Sequence, residues 1–345
     1  MIIDTEFNSA AQIPARICAD AAALAEERGF GAVWKGESNS RDPLVLLTAY
    51  AARTTRLELG TAIYHMYGRS PVTLGIQAAT LNEYSGGRLI LGLGVANPVI
   101  AAWHGDTYDR PLRRIREYVD LVRATYAGER LDYAGEFYSS SSGFKLAFEP
   151  PPHPLRLTLA ALGPQISRLT GKIADGVMIN MADPARVRQI VEWCHEGARS
   201  AGRDPAGFEV IPKIRVALNK DVALARRALK KVITFYALQN GYSQAISEMG
   251  FAEEVARVRS AYETDGFRAA MGQVSDDLFA GVPMYAGSTL DGLHERLGAY
   301  RAAGVTRMVV AFVPASDDLW GEIQYFLTSA DLAGAAVQAT AGKEH

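Results

Sequence analysis

The sequence predicts an α/β fold, a (β/α)8 or TIM barrel, from two observations. Short apolar stretches rich in β-branched residues alternate with longer segments of helical periodicity, which is typical of a parallel sheet. The apolar stretches are hydrophobic on both faces, as expected of strands that helices cover. Eight strand–helix units favour the barrel, and a doubly wound sheet is the alternative. The predicted strands are Ile2–Thr5, Gly31–Trp34, Leu57–Ile63, Leu89–Leu93, Leu157–Ala161, Val177–Asn180, Val210–Leu218 and Met308–Phe312.

The helices between these strands are marked by their periodicity and their capping residues. Asp42 and Pro43 form an N-cap followed by a first helical residue. An apolar stripe that begins at Leu112 predicts an amphipathic helix. Gly29 and Gly304 follow predicted helices and are suited to end them. The predicted helices cover 11–28, 43–52, 71–83, 112–126, 164–174, 184–200 and 290–303.

Length and composition indicate one domain with two insertions. The chain has 345 residues, of which 48% are hydrophobic and 21% charged, as in a single barrel with a sizeable core. We expect the catalytic domain over 1–330 and a C-terminal tail over 331–345. Residues 131–155 predict a hairpin with a Ser-rich tip, placed at the end of the barrel away from the active site. Residues 220–288 predict a helical insertion between the seventh and eighth strands, long enough to supply a lid, substrate contacts or a dimer surface.

Charge and motif content exclude several classes of function. The net charge of −2 argues against nucleic acid or an anionic membrane as a partner. Cys18 and Cys194 lack metal-ligand spacing and are expected to be buried in a reducing compartment. Histidines and acids do not recur at metal spacings, so no metal site is expected. Because we see neither a signal-peptide pattern nor a membrane-spanning apolar run, we expect a cytoplasmic protein.

Candidate catalytic residues follow the predicted strands, where a barrel of this kind builds its active site. His65 is the only histidine at an expected strand end, and we place it first as a proton-transfer or substrate-contact residue. Glu37 is the second candidate, and Tyr64 and His104 are further ones. For each of them a packed or solvated side chain without a chemical role is the alternative.

Two glycine-containing stretches are candidates for ligand contact. The stretch GGRLILGLGVANP, residues 86–98, has the spacing of a dinucleotide-binding loop, but it forms the fourth strand and carries Asn97 where a third glycine would stand. Its glycines predict a wall without side chains for a flat ligand. Gly163 and Pro164 begin a predicted helix, whose free N–H groups suit an anion.

Four stretches taken together resemble the bacterial luciferase-like family of flavin and deazaflavin oxidoreductases. They are residues 29–63, 81–98, 160–180 and 287–312, in the family's order, and the similarity fails mainly over 220–286. The combination of ALGP with GKIADGVMIN is most similar to the branch that uses coenzyme F420, a 5-deazaflavin. The other branch uses reduced FMN with oxygen. The resemblance implies a barrel that binds the cofactor ring at the carboxyl ends of its strands.

The resemblance also implies cofactor contacts at matching positions. The ring would contact Thr61, Ala62 and Ile63, with a cis peptide bond between the last two, and would be flanked by Gly94 and Asn97. The phosphate tail would be held at residues 161–164, with Asn180 nearby. The complete predicted cofactor set is Ser38, Thr61, Ala62, Ile63, Gly94, Asn97, Ala161, Leu162, Gly163, Pro164 and Asn180.

One departure from the family pattern affects the mechanism. Many relatives carry an Asp-His pair after the second strand, where this chain has Glu37 and Ser38. The histidine that serves some relatives as proton donor or substrate contact is therefore missing at that place. The proton would have to come from His65, Glu37, Tyr64 or His104.

The implied activity is F420-dependent hydride transfer to or from a small, mostly hydrophobic organic molecule. An FMN-dependent monooxygenase that uses oxygen is the first alternative. A flavin-binding barrel without turnover is the alternative from another functional class. A homodimer is implied by the resemblance alone.

Overall fold

The computed structural model describes residues 1–7, 13–141 and 143–329. The predicted tail over 331–345 and the first residues of the helix predicted at 11–28 lie outside these ranges. In chain order the strands are β1 (Ile2–Phe7), β2 (Ala32–Lys35), β3 (Glu58–Thr61), β4 (Tyr64–His65), β5 (Leu89–Gly94), β6 (Tyr133–Ala134), β7 (Ser139–Ser140), β8 (Arg156–Ala160), β9 (Gly176–Ile179), β10 (Glu209–Leu218), β11 (Met284–Gly287) and β12 (Arg307–Phe312).

Helices follow the barrel strands and cover the outside of the sheet. They are α1 (Ala15–Glu27), α2 (Pro43–Ala51), α3 (Pro71–Ser85), α4 (Pro98–Trp103), α5 (Pro111–Tyr126), α6 (Pro164–Ile173), α7 (Pro184–Ser200), α8 (Val222–Leu238), α9 (Asn240–Ile246), α10 (Ala252–Gly272), α11 (Asp276–Gly281), α12 (Asp291–Ala302) and α13 (Leu319–Thr328), with a π-helical turn at Ser247–Phe251. Asp42 caps α2 as predicted, by accepting a hydrogen bond from the backbone N–H of Val45. None of the helices described here is long and apolar enough to cross a membrane.

Eight parallel strands close into a barrel, which confirms the predicted (β/α)8 fold. Neighbouring strands pair in the order β12, β1, β2, β3, β5, β8, β9 and β10, and β10 pairs with β12 to complete the ring. A doubly wound sheet would keep two open edges, so that alternative is wrong. Cys18 and Cys194 are buried and unpaired.

The third predicted strand, Leu57–Ile63, is interrupted in the structure. β3 ends at Thr61, a cis peptide bond joins Ala62 to Ile63 as predicted, and β4 then pairs with the end of β5. Gly36 lies against this turn, since a Cβ atom there would stand 2.7 Å from the carbonyl oxygen of Ala62. The absence of a side chain at Gly36 therefore lets the chain change direction at the mouth of the barrel.

Charged residues fill the amino-terminal end of the barrel. The Arg307 side chain is 2% exposed and forms ion pairs with Asp4 at 2.9 Å and with Glu58 at 2.6 Å. Asp4 also accepts a hydrogen bond from the Trp34 indole at 2.9 Å. Burial raises the pKa of Asp4, and the adjacent Arg307 opposes that shift. These contacts join the first strand to the last, so the ring is closed by charge pairing as well as by backbone hydrogen bonds.

A small apolar layer lies above this charged layer inside the barrel. Its buried members come from several strands and are Ala32, Trp34, Ile90, Met178, Ile211 and Val309, with Ala62 and Ile63 packed against them. The expectation that the strands are apolar on both faces is wrong for β1. Its Asp4 and Glu6 lie inside the barrel, whereas Ile3 and Phe7 pack in the outer core with the helices.

The hairpin predicted within 131–155 is formed by β6 and β7, but its tip and its position differ from the prediction. The tip is Gly135–Tyr138 rather than the serines, which follow it. Glu117 of α5 accepts hydrogen bonds from the backbone N–H groups of Glu136 and Phe137. The Tyr138 hydroxyl donates to the Met66 carbonyl, so the hairpin reaches the active-site end of the barrel. Because α5 offers a buried carboxylate to the tip, the hairpin lies along the helix.

The segment predicted as a helical insertion, 220–288, contains α8 to α11 and also β11. β11 pairs with the distal half of β10, outside the closed ring. The helices pack around a second apolar cluster that includes Leu229, Ile233 and Val258. This packing holds α8 and α9 beside the mouth of the barrel.

We predict that Arg307→Ala lowers the free energy of unfolding by more than about 3 kcal/mol, because it leaves Asp4 buried without its cation. Arg168→Ala is the matched control, since the Arg168–Glu196 pair is nearly half exposed and should contribute less than about 1 kcal/mol. Urea-induced unfolding followed by circular dichroism measures both. Equal losses in the two variants would contradict a closing role for Arg307.

We predict that Gly36→Ala lowers the free energy of unfolding by about 1–3 kcal/mol, because the new methyl group collides with backbone rather than with a movable side chain. Gly298→Ala in α12 is the control, since its Cβ would meet no atom within 4 Å and alanine favours the helix. Thermal unfolding of both variants checks this, and a neutral Gly36→Ala would show that the turn tolerates a side chain.

Candidate active site

A cavity of about 490 Å³ opens at the carboxyl ends of the barrel strands. Its wall combines strand ends, the loops after β2 and β5, and the helices α8 and α9 of the insertion. This is the size and position at which barrel proteins bind small molecules. Seven of the predicted site residues line it: Glu37, Ser38, Ala62, Ile63, His65, Asn97 and Asn180.

Two predicted ring contacts lie in the wall behind the cavity. Thr61 is fully buried, and its hydroxyl both donates to the carbonyl and accepts from the N–H of Gly92, each at 2.7 Å. A Cβ atom at Gly94 would stand 2.8 Å from Cδ1 of Ile63. Gly94 thus leaves room for Ile63, which itself lines the cavity, rather than for a ligand directly.

Two of the candidate catalytic residues lie outside the cavity wall. Tyr64 is buried, donates its hydroxyl proton to Asp42 at 2.8 Å and lies beneath the Arg69 guanidinium at 4.3 Å. His104 is exposed at the end of α4, with its ring 4.8 Å from that of His65. Tyr64 therefore positions Arg69, and His104 covers His65 on the solvent side.

Glu37 and His65 form a clamped pair in the cavity wall. The backbone N–H and the ring Nε2 of His65 approach the same oxygen of Glu37, Oε2, at 3.0 and 3.1 Å. The other oxygen, Oε1, is 3.3 Å from Nη2 of Arg69. The backbone N–H groups of Tyr67 and Gly68 donate to Nδ1 of His65. Because Nδ1 accepts, the ring proton resides on Nε2 and is donated to Glu37.

Burial separates the protonation behaviour of these two residues. It raises the pKa of Glu37 to about 7, against the opposing effects of the His65 backbone N–H and of Arg69. Burial also lowers the pKa of His65 to about 4, helped by the charges of His104 and Arg69. His65 is thus a neutral donor at physiological pH. Glu37 is a carboxyl group that can gain or lose a proton there, as acid–base chemistry requires.

The loop at residues 161–164 lies after β8 and leads into α6. Gly163 is the N-cap of α6 and has no side chain that could accept hydrogen bonds from the first N–H groups of the helix. A Cβ atom at Gly163 would meet no atom within 4 Å, so the space around it is open. Nη2 of Arg186 is 3.0 Å from the carbonyl oxygen of Leu162. The same guanidinium forms an ion pair with Glu248 at 2.6 Å, so the free N–H groups at the start of the helix are what suits this place to an anionic group. The predicted phosphate residues Ala161, Leu162, Gly163 and Pro164 belong to this loop and not to the cavity wall.

Sequence reasoning missed several polar residues of the cavity as site residues. They are Lys213, Arg215, Lys231, Tyr236 and Tyr242. Two of them could have been found, because Lys213 and Arg215 occupy alternate positions of a predicted buried strand, where charges need a reason. The tyrosines come from the insertion, and no sequence pattern places their helices over the barrel.

Comparison with known proteins gives the family. The family model described as luciferase-like monooxygenase matches residues 4–307. A protein of Mycobacterium tuberculosis, whose name assigns it provisionally to the coenzyme F420-dependent oxidoreductases, is 30% identical over 85% of this chain and 89% of its own. The 5,10-methylenetetrahydromethanopterin reductase of Archaeoglobus fulgidus is 31% identical over 87% of this chain and 90% of its own.

The fold is shared with a solved structure as well. The coenzyme F420-dependent tetrahydromethanopterin reductase of Methanopyrus kandleri superposes with a TM-score of 0.81 over 96% of this chain and 99% of its own, at 22% sequence identity. The resemblance inferred from the four sequence stretches is therefore confirmed at the level of the family. The chain belongs to the luciferase-like monooxygenase family.

Proposed function

We propose that this protein is a coenzyme F420-dependent oxidoreductase that transfers a hydride between the deazaflavin and a small organic molecule. The observation that carries the proposal is a carboxyl group with a pKa near 7, that of Glu37, in the wall of a cavity at the mouth of the barrel. The F420 assignment draws support from the name of the Mycobacterium tuberculosis relative. A carboxyl group in a cleft that titrates near neutrality is typical of sites of acid–base chemistry.

The residues present fit such a cofactor. The cavity is large enough for a ring system, and the turn at Ala62 and Ile63 presents it with a wall of backbone and one apolar side chain. Asn97 and Asn180 supply polar groups elsewhere in the cavity lining. The start of α6 offers uncapped N–H groups for a phosphate.

When bound, a reduced deazaflavin supplies a hydride from its ring carbon C5 and so provides a two-electron reduction. The protein's part is to orient the ring, to exclude water and to handle one proton. Ile63 and Ile100 contribute apolar surface to the cavity. This surface favours a dry site, in which electrostatic interactions are strong.

Glu37 handles the proton in this proposal. Its Oε2 atom accepts two hydrogen bonds from His65, whereas Oε1 accepts a single, longer one from Arg69, so we place the exchangeable proton on Oε1. Below about pH 7 the protonated carboxyl can donate to a substrate being reduced, and above it the carboxylate can accept a proton from a substrate being oxidised. His65, the first candidate from the sequence, becomes a positioning residue, because both of its ring nitrogens are engaged within the protein.

An FMN-dependent monooxygenase is the second candidate function, and the description of the family model favours it. The third candidate, a barrel that binds a flavin without turnover, would have no use for a carboxyl that titrates near neutrality. The polar cavity residues Glu37, Lys213 and Arg215 argue against that function.

We predict that the purified protein quenches F420 fluorescence with a dissociation constant in the micromolar range and binds FMN at least tenfold more weakly. Gly163→Asp should weaken F420 binding by about tenfold, because a carboxylate at the N-cap competes with the phosphate for the same N–H groups. Gly298→Asp adds the same charge to an exposed face of α12 and should change nothing.

Fluorescence titration with each cofactor measures these affinities. Micromolar binding of FMN without binding of F420 would overturn the proposal in favour of the monooxygenase. Equal F420 affinities for the two aspartate variants would remove the start of α6 from the cofactor site.

A further inference from the structure

We infer that Arg215 is the binding site for a carboxylate group of the substrate, so that this protein acts on an organic acid with an apolar body. The inference rests on the proposed function, since it names the substrate class of that same cavity. It adds an anionic group to the mostly hydrophobic substrate expected from the sequence.

Arg215 has neutral hydrogen-bond partners, and the nearest acid across the sheet, Glu6, is paired with Lys213. Arg215 is 6% exposed and lines the cavity from β10. Its Nη1 donates to Oδ1 of Asn180 at 2.8 Å, its Nη2 donates to the Tyr236 hydroxyl, and its guanidinium lies over the Tyr236 ring at 4.6 Å. Among the residues that the structure describes, no carboxylate forms an ion pair with it. A buried cation with only neutral partners is costly, and a ligand anion would remove the cost.

The two acidic residues that line the cavity are paired with cations other than Arg215. Glu6 is the ion-pair partner of Lys213. Glu37 is held by His65 and Arg69 on the other side of the cavity. Lys231 lines the exposed mouth and adds a second positive charge. The cavity therefore carries an excess of positive charge, although the chain as a whole has a net charge of −2.

The chemistry of the wall favours a carboxylate on an apolar body. Arginine has five N–H donors, and Asn180 and Tyr236 each accept from one of those of Arg215. The remaining donors can bind a planar anion such as a carboxylate in bidentate fashion. Ile100, Val232 and Phe235 provide apolar surface in the same cavity.

The position of Arg215 would also orient such a substrate. Arg215 lies on β10 and Glu37 follows β2, and the strands β12 and β1 stand between them in the ring. A carboxylate held by Arg215 would direct the rest of the molecule across the cavity toward Glu37. The phosphate of the proposed cofactor has its own candidate site at the start of α6, so it does not require Arg215.

The test uses benzoate and benzamide, which share a shape and differ in charge. Isothermal titration of the F420-loaded and the cofactor-free protein gives the ratio of their affinities, and we expect benzoate to bind at least tenfold more tightly. Arg215→Gln should abolish this preference and leave benzamide binding unchanged. Arg227→Gln, which removes an exposed arginine of α8 outside the cavity, should keep it.

A second variant neutralises Arg215 without removing it. Asn180→Asp places a carboxylate where the amide oxygen now accepts from Arg215, so it should abolish the benzoate preference and raise the thermal midpoint of unfolding. Because its side chain is nearly identical in shape, this variant tests the inference even if Arg215→Gln does not fold.

Three results would overturn the inference. They are equal binding of benzoate and benzamide by the wild-type protein, a preference retained in Asn180→Asp, and a loss of F420 affinity in Arg215→Gln as large as its loss of benzoate affinity. The last would assign Arg215 to the cofactor. Failure of the wild-type protein to bind F420, with the benzoate preference intact, would instead refute the proposed function and support the anion site.

Discussion

The ion pair between Arg307 and Asp4 is the interaction on which the barrel depends most. It joins the last strand to the first inside the protein, where both side chains are almost completely buried. Since a buried charge without its partner is strongly destabilising, closure and charge pairing depend on each other. Closure in turn brings the ends of β1, β2, β10 and β12 to one rim. Glu6, Glu37 and Arg215 share a cavity only because of it.

Buried charges are compensated to different degrees at the two ends of the barrel. At the amino-terminal end, Arg307 and Asp4 satisfy each other, and Glu58 and Glu209 complete the set. At the carboxyl-terminal end, burial leaves Glu37 able to titrate near neutrality, and the side-chain partners of Arg215 are the neutral Asn180 and Tyr236. Buried ionisable groups without a compensating charge are typical of functional sites, because a bound ligand or a proton can supply that compensation.

The fold could be predicted from the sequence because each strand–helix unit carries local signals, such as Asp42 and Pro43 at the start of α2. The cavity wall at Ala62, Ile63 and Asn97 was accessible through the family resemblance. The sequence did not decide whether His65 or Glu37 transfers the proton, since that depends on which His65 nitrogen accepts hydrogen bonds from backbone N–H groups. Tyr236 and Tyr242 were also beyond prediction, because the packing of the insertion against the barrel is a long-range property. The predicted position of the hairpin was wrong for a similar reason, since a hydrogen bond to Glu117 holds its tip against α5.

The proposed chemistry depends on the exchange of a proton by the buried Glu37 carboxyl group near neutral pH. It is tested most directly by NMR titration of the protein labelled with ¹³C at the glutamate carboxyl carbons, with Glu37→Gln identifying the resonance. We expect the resonance that is missing in Glu37→Gln to titrate with a pKa of about 7 in the wild-type protein. A pKa at the ordinary glutamate value of 4.5 would contradict this proton exchange and return the choice of proton donor to the other residues of the cavity.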